Sequence, residues 1–299
     1  MCLFPTRCQT QEFGRPKPDP EGDLVLPCGK CFECISQRAV MWAIRAKHEI
    51  SCHDENSFIT LTYDDAHLPS HLIVKDEFQK FMKNLRYHTK SKLKYMVSHE
   101  YGSKFFRPHH HVIIFGWNPK NQKFLKTTPR GEKLFTSPDV EQLWSRGFHS
   151  IGTATERSAY YIASYALKGK KHDIILPTGE SVSVSDDFDS SKRPAIGLEF
   201  FMQNMKQLAT CGEPMPRYYL KKLKDLNPSL HEHYENNLST QLKTRSSQEL
   251  LAKYIIDQQK QSDSQFRSTP EISNMSIATE KQLSQNRDEY HLHKPKDLK

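Results

Sequence analysis

Arg107-Pro108-His109-His110-His111-Val112-Ile113-Ile114-Phe115-Gly116 is the stretch from which the rest of the 299-residue chain can be read. Its β-branched and aromatic run, closed by glycine, predicts a strand. Proline lacks a backbone N–H, so Pro108 can begin that strand but cannot sit within a central ladder. Alternate side chains share a face. His109 and His111 therefore point one way, about 7 Å apart at a rise of ~3.3 Å per residue. His110 points the other way with Val112 and Ile114. Two imidazoles on one face can hold one metal ion. The plainer reading is a histidine-rich strand end in a chain with 15 histidines.

Working outward, residues 93–99 alternate Leu93, Tyr95 and Val97 and predict a second strand, which runs into Glu100. If it pairs with 109–115 as a hairpin, Glu100 lies close to His109 and becomes the third ligand. His99 faces the opposite way and is the alternative. Two imidazoles and a carboxylate with open positions suit Mg²⁺ or Mn²⁺ bound to a phosphate. FITLTY at 58–63 and residues 148–154 add two more strands. Helical spacing of apolar residues predicts helices over 35–50, 75–89 and 156–168. A short helix at 140–144 is expected to close at Gly147. The order is that of an α+β fold: a central, mainly antiparallel sheet with flanking helices. Residues 11–27 and 176–194 read as loop. Two helices are expected within 196–224. Residues 226–299 read as a polar, partly disordered tail with one short helix around Leu250 to Ile255.

The predicted helix 156–168 contains Tyr160-Tyr161-Ile162-Ala163-Ser164-Tyr165-Ala166-Leu167-Lys168. Tyr161 and Tyr165 are four apart and share a face, and Lys168 follows on the same side. Core tyrosines would be the structural explanation. The chemical one is covalent: a phenol can attack a phosphodiester and keep the bond energy in a phosphotyrosine. A metal would polarise the phosphoryl oxygen, and the lysine would stabilise developing charge. No G-x-x-x-x-G-K-[ST] phosphate loop is present, so no nucleotide cofactor is expected.

Charge agrees with an anionic partner. The chain carries 43 Lys and Arg against 35 Asp and Glu, net +8. Residues 55–170 hold 18 basic and 10 acidic side chains, whereas the segments on either side are each neutral. A basic excess confined to one segment is the footprint expected of a phosphate-binding domain. No run of about 18 apolar residues occurs, so no membrane partner is expected. MCLFPTRCQT lacks a signal-peptide core, which with seven cysteines suggests a reducing compartment.

The histidine strand followed by Tyr-x-x-x-Tyr-x-x-Lys resembles the HUH endonucleases. More closely, PCGKCFEC at 27–34, FITLTYDDAHLP at 58–69, HEYG with RPHHHVIIFG across 99–116, and YIASYALK at 161–168 resemble the rolling-circle replication initiators of the gokushovirus group of Microviridae phages. PRYYLKKL at 216–223 is a weaker fifth match. The resemblance covers roughly residues 24–224. It implies site- and strand-specific nicking at an origin, a 5′-phosphotyrosine intermediate, and rejoining of a circular single-stranded genome in the bacterial cytoplasm. Single-stranded and origin DNA would be the substrate, and a host helicase and polymerase the partners. His109 and His111 would be metal ligands, Tyr161 and Tyr165 alternating nucleophiles, and Lys168 the motif lysine. His110 departs from the family, which usually has a hydrophobic residue there. The implied organisation is a cysteine-containing segment and helix at 1–54, a nickase core at 55–170, a helical extension at 171–225 and the tail at 226–299. A non-enzymatic nucleic-acid-binding protein and a related transposase or plasmid initiator are the competing readings. The two-tyrosine face argues against the first, and the cysteine stretch against the second.

Cys28, Cys31 and Cys34 are spaced C-x2-C-x2-C. A ferredoxin-type cluster would need a cysteine near position 38, which is Arg38. A structural Zn²⁺ is one reading, with Cys8, Cys2, Cys52, His48 or His53 as a fourth ligand. Reduced thiols opening a helix are the other.

Overall fold

A computed structural model describes residues 4–10, 16–68, 72–102, 106–167, 171–176, 179–211 and 214–243. The chain divides into two compact units, one holding the described residues up to Gln37 and the other running from Arg38. In the first, β1 (Thr6–Gln9) is flanked by β2 (Lys17–Pro18) and β3 (Leu24–Leu26) in a small antiparallel sheet. These strands are too short to show alternation, which is why 11–27 reads as loop. Helix α1 (Phe32–Ile50) begins there and continues into the second unit.

The second unit is built on a seven-stranded sheet. Its strands are β4 (Asn56–Tyr63), β5 (Lys94–Tyr101), β6 (Pro108–Phe115), β7 (Lys123–Thr127), β8 (Lys133–Thr136), β9 (Gly147–Thr153) and β12 (Asp187–Ser190). The order is β12-β5-β6-β4-β9-β8-β7, with every neighbouring pair antiparallel. A separate hairpin joins β10 (Lys171–Ile175) to β11 (Ser181–Ser185). Helices α2 (Lys75–Thr89) and α3 (Pro138–Leu143) contribute Phe78, Phe81, Met82, Leu85 and Val140 to the core on one face of the large sheet. They meet Ile59, Leu61, Val97, Val112, Ile114 and Ile151. Ala39, Ala43 and Ala46 of α1 and Ala159, Ile162 and Ala163 of α4 (Glu156–Leu167) cover the other face, over Met96, Ile113 and Phe115. Small residues on these helices let them sit close to the strands. β5 is buried along its whole length because both faces are covered. Each large apolar side chain removed from water contributes about 1.5–3 kcal/mol before entropy is counted.

This is the α+β arrangement expected, with three additions. β7 and β8 form an exposed hairpin whose sequence, KFLKT, has no apolar–polar alternation because every residue of β7 is exposed. β10, β11 and β12 occupy most of the stretch expected to be loop. Gly147 opens β9 instead of closing α3. A Cβ there would lie 2.3 Å from the Asp64 amide nitrogen and 2.5 Å from the Thr62 carbonyl oxygen, so only glycine allows β9 to approach β4.

Beyond the sheet, α5 (Leu198–Thr210), α6 (Arg217–Leu226) and α7 (Pro228–Lys243) share a smaller core of Phe201, Met215, Tyr219, Leu223 and Tyr234. The first two are the pair expected within 196–224. The third carries helical structure into the polar stretch, held by the Met215 N–H donating to Tyr234 Oη at 2.9 Å. The helix expected near Leu250 lies outside the described residues.

Candidate active site

β5 and β6 are adjacent central strands, and their register sets Glu100 opposite His109 and Ser98 opposite His111. Glu100, His109 and His111 each offer a ligand atom, all within 4.8 Å of one another. The Glu100 carboxylate is fixed by Ser98, whose Oγ donates to Oε1 at 2.5 Å. Its Oε2 lies 3.9 Å from His109 Nε2. A backbone carbonyl can only accept, so the 3.1 Å contact between His109 Nδ1 and the Arg107 oxygen puts the proton on Nδ1. The Nε2 lone pair then faces Glu100. His111 Nδ1 contacts Thr60 Oγ1 at 2.9 Å, which turns its Nε2 toward the same point. The His111 ring is stacked on Phe58, with the planes 7° apart.

Electrostatics favour neutral ligands. Burial, then the neighbouring His111, lowers the pKa of His109, and Glu100 opposes the shift. Burial pushes His111 down to about 4. Neutral imidazole is the form that ligates a metal, so no proton has to be displaced near neutral pH. Two oriented imidazoles and one carboxylate fit a divalent cation, and the partners on Nδ1 and on the carboxylate are those a metal site needs to orient its ligands. Among the described residues no helix is long and apolar enough to cross a membrane.

α4 lies over this face and places Tyr161 against the site. Its ring meets the His111 ring edge-on with centroids 5.3 Å apart. Tyr165 lies one turn further along α4. Lys168 lies outside the described residues.

The family described as replication-associated protein of the ORF2 type matches residues 56–170, from the start of β4 to just past α4. The replication-associated protein VP4 of Bdellovibrio phage phiMH2K is 34% identical over 229 residues, 71% of this chain and 71% of its own length. The chain belongs to the phage replication-associated proteins. The replication-associated protein ORF4 of Chlamydia phage 1 is 31% identical over 249 residues, 77% of this chain and 62% of its own length. That of Spiroplasma virus 4, ORF2, is 32% identical over 196 residues, 61% of this chain and 59% of its own length. The chain thus spans under two thirds of the chlamydial phage relative. No solved structure matches. The resemblance to Microviridae-type initiators is borne out at the level of family, and the matched segment coincides with the basic one.

Three parts of this replication-associated protein's site escaped the sequence reading. Thr60 orients His111 from a third strand, and its only signal is its place on the outward face of FITLTY. Asp186 accepts from the Tyr101 N–H at 3.0 Å and contributes negative potential at His109. It joins the site from a stretch that reads as loop. His99 is not an alternative ligand. On the opposite sheet face its Nδ1 meets His110 Nδ1 at 2.8 Å, and His110 Nε2 meets Tyr63 Oη at 3.1 Å. Burial lowers the pKa of both rings. His110 therefore has a polar partner on each ring nitrogen, which explains how a histidine is accommodated at a position usually hydrophobic.

Proposed function

We propose that the chain is a metal-dependent DNA nickase and strand-transferase that initiates rolling-circle replication of a circular single-stranded genome. The convergence of Glu100, His109 and His111, with Tyr161 against His111, is the observation that carries this reading. Bound there, Mg²⁺ or Mn²⁺ would polarise a phosphoryl oxygen and offset charge at phosphorus. Glu100, His109 and His111 would hold the ion, with Ser98, Thr60 and the Arg107 carbonyl keeping them oriented. The Tyr161 phenol attacks the origin phosphodiester and loses its proton to solvent. A bond forms between its oxygen and phosphorus as the bond from phosphorus to the 3′ oxygen breaks. The 3′-OH is left for a host polymerase. Tyr165 takes the second cut, at the regenerated origin, and Lys168 stabilises the charge that develops.

Two features support DNA as the substrate. One is the charge of residues 55–170. The other is β7, where Lys123, Phe124, Leu125 and Lys126 are all exposed, beside Arg130 and Lys133 on the same hairpin. Cations alternating with stacking surfaces track a single strand without reading its sequence. β7 is four strand positions from β6, about 19 Å at the usual strand spacing, a span of a few nucleotides. The setting would be the cytoplasm of an infected bacterium, with a host helicase opening the duplex ahead. Incubation with origin single-stranded DNA and Mn²⁺ tests the reading. A covalent adduct is expected, and DNA binding without any adduct would leave only a binding protein.

A further inference from the structure

The first unit carries a second candidate metal site, unrelated to the nicking chemistry. Cys28 follows β3, and Cys31 and Cys34 lie at the start of α1. Their three sulfurs lie within 4.8 Å of one another. Three corners of a tetrahedron around a zinc ion, with Zn–S near ~2.3 Å, require sulfurs roughly 3.8 Å apart. A small contraction therefore brings the three into coordination.

Two further observations point to a ligand. The Cys28 sulfur accepts from the backbone N–H groups of Lys30 at 3.5 Å and Cys31 at 3.3 Å. Gly29, with φ +73°, turns the chain so that both amides face that sulfur. Amides aimed at sulfur favour the thiolate, as does the start of a helix at Cys31 and Cys34, and the thiolate is the form that binds metal. The unit also lacks a core of its own. Among the described residues up to Gln37, the buried apolar side chains are those of Cys8 and Cys34, while Val25 on β3 is 54% exposed. Units that cannot bury enough apolar surface are commonly held by a metal or by disulfides.

We propose that Cys28, Cys31 and Cys34 bind one thiophilic divalent cation, Zn²⁺ in the cell, which holds the first unit folded. Cys8 lies outside the group, its sulfur directed to the Thr6 carbonyl at 3.8 Å. His48, His53 and Cys52 are occupied elsewhere, by Tyr219, Glu49 and the His48 carbonyl. The fourth corner is therefore left to a ligand from outside this group.

The test uses the full-length protein, purified under reducing conditions and titrated with Cd²⁺ alone. The sulfur-to-cadmium charge-transfer absorption should grow to a stoichiometric end point. It should be lost in Cys31→Ser and retained in the His109→Ala/His111→Ala double variant. Protein purified from zinc-supplemented cells should carry stoichiometric zinc, and removing it with a chelator should expose residues up to Gln37 to protease. That readout stands even if Cys31→Ser fails to fold. Zinc far below stoichiometry together with no charge-transfer band overturns the proposal. So does a band that follows the histidines and not the cysteines.

Discussion

Glu100 and His109 face each other across the β5–β6 ladder, with Glu100 Oε2 3.9 Å from His109 Nε2. The two ligands belong to paired strands of a sheet buried on both faces, so their separation is set by backbone pairing and not by a mobile loop. The carboxylate needs Ser98, and the imidazole needs the Arg107 carbonyl, to present the atoms that meet.

That arrangement separates ligands from the residues that orient them. Thr60→Ala removes the partner of His111 Nδ1 and should weaken Mn²⁺ binding by about 10-fold, whereas His111→Ala should weaken it by more than ~100-fold. Calorimetric titration of each variant with Mn²⁺ measures both. Equal losses would place Thr60 among the ligands.

The DNA surface makes a salt-dependence prediction. Replacing both Lys123 and Lys126 with glutamine should lower the slope of log K against log salt for single-stranded DNA by about 1.4, at ~0.7 per phosphate contact. Phe124→Ala should weaken binding with the slope unchanged, because stacking releases no counterions. Fluorescence anisotropy over a salt series reads both effects. Unchanged slopes in the lysine variant would remove β7 from the DNA path.

A third prediction concerns stability. Glu49 is fully buried on α1 and accepts from Lys94 Nζ at 2.7 Å, His53 Nε2 at 2.8 Å and the Gly197 N–H at 2.7 Å. Burial alone would raise its pKa, but these hydrogen bonds outweigh it and hold the carboxyl below its usual 4.5. A depressed folded-state pKa stabilises the fold above the unfolded value and ceases to do so as pH falls through the folded one. Glu49→Gln leaves the buried Lys94 ammonium unpaired and should cost about 3–5 kcal/mol at neutral pH. The gap between variant and wild type should narrow as the pH falls below 4.5. Urea unfolding of both proteins across that range checks it. A gap that widens in acid would contradict the assignment.

Much of this site was legible from three short stretches. The period of two in PHHHVIIF places His109 and His111 together, the following of one strand by another sets Glu100 opposite His109, and helical spacing brings Tyr161 to the same face. What the sequence did not reveal follows from how each contact is made. Asp186 is 86 positions from Glu100 and reaches the site through the pairing of β12 with β5, a long-range register with no local signature. β7 escaped because a strand exposed on every residue has no periodicity to read. His99 stands as an alternative ligand in the sequence because its partner, His110, becomes visible only once the strand register is known.

The central claim is that Tyr161, on α4, is a nucleophile. Peptide mass mapping of the protein after reaction with origin single-stranded DNA and Mn²⁺ tests it most directly. A nucleotide-bearing peptide with the mass on Tyr161, or on Tyr165 when Tyr161 is replaced by phenylalanine, is the predicted result. Adducts that persist when both tyrosines are phenylalanine, or that map to any other residue, would contradict it.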